Sequence, residues 1–461
     1  MTDTVLHTAR GTDHWKKYHD EIYKLDQKPF YDNSTANRAY LSVGVDDNTT
    51  LNNNSLIKFT VWPSDVCVMP SDSYLLIEGQ VVKRDGTVYA KAATPDISFV
   101  NNGALFLFET ARYLLDDVEI ESFTNVGIAT LMKGIITKSS AFSGLEKSWC
   151  VDTEGGDAVG ENLGYIERNK FLIDRYASTP DAQTGTFSFR IPLDFIFNFC
   201  DDYRKVIYHH KHQIIFQRKS NDDMALMRRD GVDPGKVNIT NMMWRIRKYT
   251  PNNEELENIY KYTKEDIMLY FRNKYIVSGI VNGGSTSFPI NITYSGGFGT
   301  PRYIIVAFQV KLAGVADDQM NYGVFNYPKS AIATQVNVGY VKISINNDLQ
   351  LNNNIVSDFT KNRASEWYNE LKNLRVDYTG MTDDEICVSY VNFAKLYRMY
   401  VFDISKQNIS PKSGLVNVKL DFNFVTAVPA PDIGTTRYYA MSIYDKEYVI
   451  NSVTQQVVGI N

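Results

Sequence analysis

The chain has 461 residues, of which 44% are hydrophobic and 22% are charged. This length and composition are typical of a globular protein with two or three domains that each bury a core. A net charge of −5 argues against a surface dominated by phosphate contacts. The 30 tyrosines and 24 phenylalanines favour strands, because aromatic side chains suit a half-buried pleated sheet.

Residues 1–35 are predicted to form an N-terminal arm with a short amphipathic helix, capped by Thr12 or Asp13. Its apolar residues recur at helical spacing on one face: Trp15, Tyr18, Ile22 and Leu25. Two interpretations stay open: the arm docks on a partner subunit or inner scaffold, or it packs on its own domain. The arm lacks the apolar run of a signal peptide, and no stretch approaches about 18 consecutive apolar residues, so we expect no membrane span.

Residues 36–250 read as a succession of strands. From Phe187 to Phe199 every second residue is apolar, which predicts that at least the first half of this stretch is a strand with one dry face. The other predicted strands are 57–61, 74–83, 104–108, 113–122, 191–199, 213–218 and 242–249. Residues 123–139 are predicted to form a helix between strands.

Residues 251–265 are predicted to form a helical linker. Asn252 or Asn253 can cap the helix, and Glu254 and Glu255 in its first turn lie beside the positive end of the helix dipole.

Residues 266–461 are again rich in strands and end in a C-terminal tail. Val416, Val418, Leu420, Phe422 and Phe424 alternate with polar residues, as the earlier aromatic stretch does. The helical pattern that interrupts these strands predicts a helix over about 357–374.

The two halves carry similar segments in the same order. SLIKFTVW and YLLIEGQVVK correspond to SFPINITY and YIIVAFQVK. Later, IPLDFIF, HQIIFQR and NMMWRIRKY correspond to MYVFDIS, VNVKLDFNF and RYYAMSIYDKEY. The shared order indicates a duplicated unit of about 200 residues. We therefore predict an all-β fold of two tandem eight-stranded antiparallel jelly rolls with a few inserted short helices.

Histidines, carboxylates and glycines give only weak signals of a chemical site. His209, His210 and His212 are the best metal candidates, but a surface strand or loop is the favoured interpretation. Asp117, Glu119 and Glu121 alternate on one strand and could bind a cation or serve as an acid/base pair, although a solvated face explains them with less. Gly296–Gly299 is expected to be a turn, because no G-K-[ST] follows it.

Basic and thiol groups add no catalytic signature. The local basic patches at 228–229 and 245–248 are favoured as solvated loop or strand faces. The four cysteines are far apart and are expected to be free thiols in a reducing compartment: Cys67, Cys150, Cys200 and Cys387. We therefore predict no enzyme activity, no catalytic, cofactor-binding or metal residues, and no cofactor.

The arrangement resembles the double-jelly-roll major capsid proteins of double-stranded DNA viruses, most closely those of Polinton/adintovirus-type elements. The segments that carry the resemblance are SLIKFTVWPSDVCVMPSDSYLLIEGQ, LFLFETARYLLDDVEIES, FSFRIPLDFIFNF, RYIIVAFQ and LDFNFVTAVPAPDIGTTRYYAMSIYDKEYVI. The resemblance covers most of residues 36–450 and depends on the order of these segments rather than on invariant residues.

The resemblance implies a structural function. In that family three chains form a six-roll, pseudo-hexagonal capsomer of an icosahedral shell. The implied partners are further copies of the chain, then neighbouring capsomers and minor capsid or penton proteins, with no specific nucleic-acid sequence. The implied location is the virion capsid, after synthesis in the host cytoplasm or nucleus. The alternative is a carbohydrate-binding or carbohydrate-cleaving β-sandwich protein.

Overall fold

The computed structural model describes residues 34–46, 50–89, 97–153, 162–174, 184–229, 231–294, 301–316, 318, 336–346, 348–350, 355–381, 385–405 and 416–460. Residues 1–33 of the predicted N-terminal arm, with its helix, and the predicted Gly296–Gly299 turn lie outside these ranges, and Thr35 of the predicted arm begins the first strand.

The described part of the first half contains eleven strands. They are β1 Thr35–Val43, β2 Leu56–Val61, β3 Cys67–Lys83, β4 Ile97–Phe99, β5 Phe108–Leu115, β6 Val118–Thr124, β7 Thr186–Pro192, β8 Ile207–Tyr208, β9 His212–Arg218, β10 Leu226–Arg228 and β11 Gly235–Pro251. Five helices accompany them: α1 Gly103–Phe106, α2 Val126–Thr137, α3 Leu163–Asn169, α4 Leu193–Ile196 and α5 Asn198–Asp202.

A helix, α6 Asn253–Tyr262, separates the two sets of strands. The described strands of the second set are β12 Ile267–Val281, β13 Ser287–Tyr294, β14 Pro301–Leu312, β15 Val338–Ile345, β16 Asp348–Gln350, β17 Met399–Asp403, β18 Val416–Phe424, β19 Gly434–Ile450 and β20 Val457–Ile460. Two more helices lie between β16 and β17: α7 Ser365–Thr379 and α8 Tyr390–Lys395.

The strands form two pairs of antiparallel sheets with one topology. The first pair has the orders β1-β11-β3-β7 and β2-β9-β5-β6, and we call it roll 1. The second pair has the orders β12-β19-β14-β17 and β13-β18-β15-β16, and we call it roll 2. Numbered within each roll, the eight main strands follow the orders 1-8-3-6 and 2-7-4-5 in both. Each roll is therefore an eight-stranded jelly roll, and the predicted fold class is confirmed.

The correspondence between the two halves is also confirmed strand by strand. SLIKFTVW and SFPINITY supply the second strand of each roll, and YLLIEGQVVK and YIIVAFQVK the third. The later segments supply the seventh and eighth strands of both rolls and the sixth strand of roll 2, whereas only Ile191 and Pro192 of IPLDFIF belong to the sixth strand of roll 1. The sequence repeat therefore records a repeat of topology.

Alternation explains how each roll buries one face of its strands. Along β18, Val418, Leu420, Phe422 and Phe424 are buried, while Lys419 between them is exposed. Inside roll 2 the ring centroids of Phe422 and Phe308 lie 5.1 Å apart, in the edge-to-face arrangement that aromatic pairs prefer.

The linker helix forms as its sequence predicts. The side chain of Asn252 accepts a hydrogen bond of 2.7 Å from the backbone N–H of Glu255, which satisfies one donor of the first turn. The predicted cap at Asn252 is thus confirmed, with Glu254 and Glu255 in the first turn of α6.

The aromatic alternation does not continue as a strand beyond Pro192. β7 ends at this residue, and the two short helices α4 and α5 follow. Phe195, Phe197 and Phe199 are nevertheless fully buried. The predicted strand over 191–199 is therefore wrong after Pro192, because proline cannot donate to a strand ladder and short helical turns within a core bury apolar residues as well.

The predicted strand over 113–122 is a hairpin. Asp116 and Asp117 have φ values of 50° and 65° between β5 and β6. Two consecutive left-handed residues suit a two-residue hairpin turn, and aspartate tolerates this conformation better than most side chains.

Two helix assignments also differ from the sequence prediction. Residues 104–106 belong to α1 and not to a strand. The helix predicted over 357–374 begins later, at Ser365, and ends at Thr379 before Gly380, whose φ is 65°. A left-handed glycine is a frequent helix stop. The helix predicted within 123–139 is confirmed as α2.

Candidate functional site: the buried junction between the two rolls

The three histidines do not share a strand face. His209 has a φ of 60° and separates β8 from β9. His210 Nδ1 lies 2.5 Å from Asp116 Oδ2, and the buried His212 places Nδ1 2.8 Å from the hydroxyl of Tyr113. Burial lowers the pKa of His212 to about 3, so its imidazole is neutral at physiological pH. Within the described ranges, no three His, Cys, Asp or Glu side chains are grouped to hold a metal.

The three alternating carboxylates also have separate environments. Asp117 Oδ1 lies 2.7 Å from Lys211 Nζ, and Glu119 Oε2 lies 2.5 Å from Arg112 Nε, with both carboxylates exposed. Glu121 is buried instead, with 1% of its surface exposed. The interpretation as a solvated strand face is therefore wrong for Glu121.

A β-bulge turns Glu121 into the interior. The pairing of β5 with β6 passes from Tyr113 opposite Glu121 to Leu114 opposite Glu119, which leaves Ile120 without a partner. One extra residue shifts the alternation by one position, so Ile120 and Glu121 are both buried.

Glu121 in roll 1 forms a buried ion pair with Lys274 in roll 2. Lys274 Nζ donates to Glu121 Oε1 at 2.8 Å and to the carbonyl oxygen of Ile196 at 2.7 Å. The carboxylate also accepts from the backbone N–H groups of Asn198 and Phe199, at 3.0 and 2.8 Å. Burial lowers the pKa of Lys274 to about 8, against the attraction of Glu121, which favours the charged amine.

A second cation of β12 contacts roll 1 at the end of α5. Arg272 Nε donates to Asp202 Oδ2 at 2.9 Å, its backbone N–H donates to the same oxygen at 2.8 Å, and Nη2 donates to Oδ1. The guanidinium carbon also lies 3.7 Å from the centroid of the Tyr378 ring. The fork geometry of arginine uses both carboxylate oxygens and an aromatic face at once.

A third ion pair holds α5 in place within roll 1. Lys133 Nζ of α2 lies 3.1 Å from Asp201 Oδ2 and donates to the carbonyl oxygen of Asp194 at 2.7 Å. Burial alone would raise the pKa of Asp201, but Lys133 and Lys138 lower it to about 2. This pair anchors α5, and the last residue of α5, Asp202, binds Arg272.

Further contacts extend the junction over several elements of both rolls. The ring centroids of Phe199 and Phe271 lie 5.3 Å apart. Three hydrogen bonds also join the rolls: the Tyr448 hydroxyl donates to the Glu119 carbonyl at 3.1 Å, Arg375 Nη1 to the Thr137 carbonyl at 2.9 Å, and the Tyr397 hydroxyl to Asp152 Oδ2 at 3.1 Å.

The ion pairs of the junction fix the orientation of the two rolls. A buried cation that shifts would lose its carboxylate and carbonyl partners, so the rolls are held in one arrangement. The desolvation cost of the charges offsets much of the stability that the pairs would add. The sequence analysis missed this role of Lys274 and Arg272. The available signal was two cations inside the otherwise apolar run IMLYFRNKYIVSGIV of β12.

The family of the chain follows from a match to a known domain. The model of the double jelly roll-like domain matches residues 174–447, which is more than half of the chain. This chain belongs to the double jelly roll-like domain family.

Solved viral structures share the fold over nearly their whole length. The mavirus major capsid protein aligns with a TM-score of 0.56 at 11% identity, covering 100% of this chain and 96% of its own. The Sputnik virophage structure gives a TM-score of 0.57 at 9% identity, with 99% and 93% covered. The PBCV-1 virus capsid gives 0.54 at 11% identity, with 94% and 99% covered. At such identities the likeness shows a shared fold.

No curated protein matches the chain at the level of sequence. Among the helices of the described residues, none has the length and apolar character needed to cross a membrane.

Proposed function

We propose that this protein is the major capsid protein of a double-stranded DNA virus. Three copies would form a pseudo-hexagonal capsomer of six rolls, and capsomers would tile an icosahedral shell. The observation that carries the proposal is that both rolls have one strand order and meet through a buried junction. A chain built from two like units can place six of them around a ring with only three copies.

Exposed apolar side chains support association with other copies. Large side chains with about half or more of their surface exposed include Tyr262, Tyr270 and Ile280, at 66%, 56% and 56%. Obligate interfaces bury on the order of 2,000–5,000 Å² and draw on such side chains.

The proposal includes the domain boundaries, the partners, the location and the viral lineage. Residues 1–35 would be an arm, 36–250 the first roll, 251–265 a helical linker, and 266–461 the second roll with a C-terminal tail. Minor capsid or penton proteins would be further partners, and the virion capsid the location. The lineage would be of the Polinton/adintovirus type, which predicts genes for a packaging ATPase and a maturation protease beside this one.

Native mass measurement with negative-stain imaging of the purified protein tests the proposal. We expect a mass of three chains and hexagonal particles at micromolar concentration. A monomer or dimer without hexagonal particles would refute the capsid role. Binding of glycans by such a monomer would instead support the carbohydrate-binding alternative.

A further inference from the structure

The first strands of the two rolls have the same place in the topology but different surroundings. β12 pairs only with β19, and β1 pairs only with β11, so each is an edge strand in the described sheets. Roll 1 covers the part of β12 around Lys274, whose side chain is 1% exposed, while Tyr270 and Ile280 of the same strand are exposed. On β1, Arg38 and Leu41 are exposed, because no part of the described chain covers this edge.

The helices between the fifth and sixth strands show the same difference. In roll 1 this helix is α2, in which all of Val126–Ile136 is buried and whose last residue, Thr137, accepts a hydrogen bond from Arg375 of roll 2. In roll 2 it is α7, whose solvent side presents a stripe of polar residues: Glu366, Glu370, Asn373 and Asp377. The chain therefore leaves one edge of roll 1 and one face of roll 2 uncovered. β1 is the counterpart of β12, which meets roll 1 in the junction, and α7 is the counterpart of α2, which lies beside the junction and anchors α5 through Lys133.

The outer face of the sheet that runs from the uncovered edge strand β1 to β7 is rich in arginine. The guanidinium carbon of Arg247 lies 3.7 Å from the Tyr40 ring centroid, and that of Arg190 lies 4.1 Å from the Tyr74 centroid. Arg245 extends this surface, since it pairs with Tyr74 across β11 and β3. We call this surface, which also includes Arg38, the arginine face.

Few carboxylates balance the arginine face. Asp72 Oδ2 lies 3.0 Å from Arg247 Nε and 3.3 Å from Arg38 Nη2. Farther along the same sheet, Glu78 is engaged by Ser188 and Asn241, at 3.1 and 2.8 Å. The arginine face therefore has an excess of positive charge, with guanidinium planes stacked on tyrosine rings and N–H edges left for an anionic partner.

The uncovered face of roll 2 carries carboxylates. Glu370 and Asp377 of α7 and Asp403 at the end of β17 line a cleft of about 380 Å³. Burial, and then the neighbouring charge of Asp403, raises the pKa of Glu370. None of the three forms an ion pair with a lysine or arginine in the part of the chain that the structure describes. We call this the acidic cleft.

We propose that the arginine face of one copy docks on the acidic cleft of the next copy. This inference rests on the trimeric capsomer proposed above. As in the junction inside each chain, cations of one roll meet carboxylates of the other, and Arg38 lies on a first strand as Arg272 and Lys274 do. Because the two surfaces differ, the contact is head-to-tail and closes into a ring when repeated by rotation.

Charge reversal tests the proposal. One variant carries Arg38→Glu with Arg190→Glu, and a second carries Glu370→Arg with Asp377→Arg. Each sets like charges against one another between copies, so trimer association measured by sedimentation equilibrium should weaken at least about tenfold. The combined variant restores opposite charges and should recover association to within a few fold of the unaltered protein.

Lys419→Glu on the exposed side of β18 is the matched control, and it should leave association unchanged. Circular dichroism of each variant checks that the rolls are folded, and Arg38→Gln with Arg190→Gln supplies a milder change that should weaken association less.

The outcomes separate the two proposals. Unaltered protein that forms no trimer refutes the capsid role. If the trimer tolerates both reversals, the docking of the arginine face on the acidic cleft is refuted, while the proposal of a trimer stands. Two reversals that each disrupt the trimer, without recovery in the combined variant, refute the pairing of these two surfaces.

Discussion

The edge strands β12 and β1 have the same position in their rolls, yet their positively charged side chains have different environments. On β12, Lys274 and Arg272 are enclosed and have defined partners in the other roll. On β1 and its neighbours, Arg38 and Arg247 share Asp72 and lie against tyrosine rings near the surface. An enclosed cation needs partners at once, whereas an exposed one can keep its water until a partner arrives.

The difference shows what a junction between rolls requires. In the covered case, a bulge turns Glu121 toward Lys274, and the carbonyl oxygen of Ile196 at the end of α4 accepts a second hydrogen bond from the same amine. In the uncovered case the described residues supply one carboxylate, Asp72, for two arginines, Arg38 and Arg247. We therefore expect damage at β12 to affect folding and damage at β1 to affect assembly.

The largest effect is expected for Glu121→Ala. This change removes the carboxylate partner of a buried amine, which costs about 3–5 kcal/mol because the charge of Lys274 is left uncompensated. Urea denaturation measures the loss. The double variant Glu121→Met with Lys274→Met should be much less destabilised, and equal destabilisation of the single and double variants would contradict the importance of the ion pair.

A smaller loss is expected for Gly134→Ala in α2. A Cβ at this position would lie 2.4 Å from an atom of the Trp149 ring, so overpacking should cost about 1–3 kcal/mol. Thermal unfolding measures it. Asn373→Ala on the exposed side of α7 is the control and should change stability by less than about 0.5 kcal/mol. A similar loss at both sites would mean that the two helices are equally covered.

The Lys133–Asp201 pair should give a pH-dependent contribution. The pKa of Asp201 is lowered from 3.8 to about 2, so its stabilisation is complete above about pH 4 and is lost as the pH falls through about 2. Asp201→Asn should therefore cost about 2 kcal/mol at pH 7 and nothing near pH 1. Thermal unfolding of both proteins across this range is the measurement, and a constant difference would contradict the assignment.

The smallest effect on folding is expected at the uncovered edge. Arg38 is 55% exposed, and Arg38→Ala should change the stability of the isolated chain by less than about 0.5 kcal/mol. The measurement is denaturation at a concentration where the protein is monomeric. A loss of several kcal/mol would show that the arginine face supports the fold of roll 1 itself.

The sequence predicted the repeat well because a jelly roll has a simple pattern. Strands such as β18 keep one face dry over their whole length, and period two reports this directly. The order of matching segments then gave the order of equivalent strands in both rolls.

The alternation of apolar residues gave wrong predictions where a residue was buried for a reason other than its place on a strand. Phe195, Phe197 and Phe199 lie in or beside short helices that the core encloses, so their spacing carried no information about strand geometry. Glu121 was placed on the wrong face, because a single residue in a bulge reverses the alternation and leaves no signal in composition.

The junction itself depends on pairs that are far apart in the chain. Glu121 and Lys274 are separated by 153 residues, and nothing local identifies one as the partner of the other. Arg272 and Lys274 within an apolar strand were a signal that the sequence analysis did not use, and only the three-dimensional structure supplies their partners.

A cryo-EM reconstruction of the purified protein would show directly how the copies meet. We expect three chains in a ring of six rolls, with β1 of each copy against α7 of the next. A reconstruction of isolated chains, or of a two-fold dimer that joins like surfaces, would contradict it.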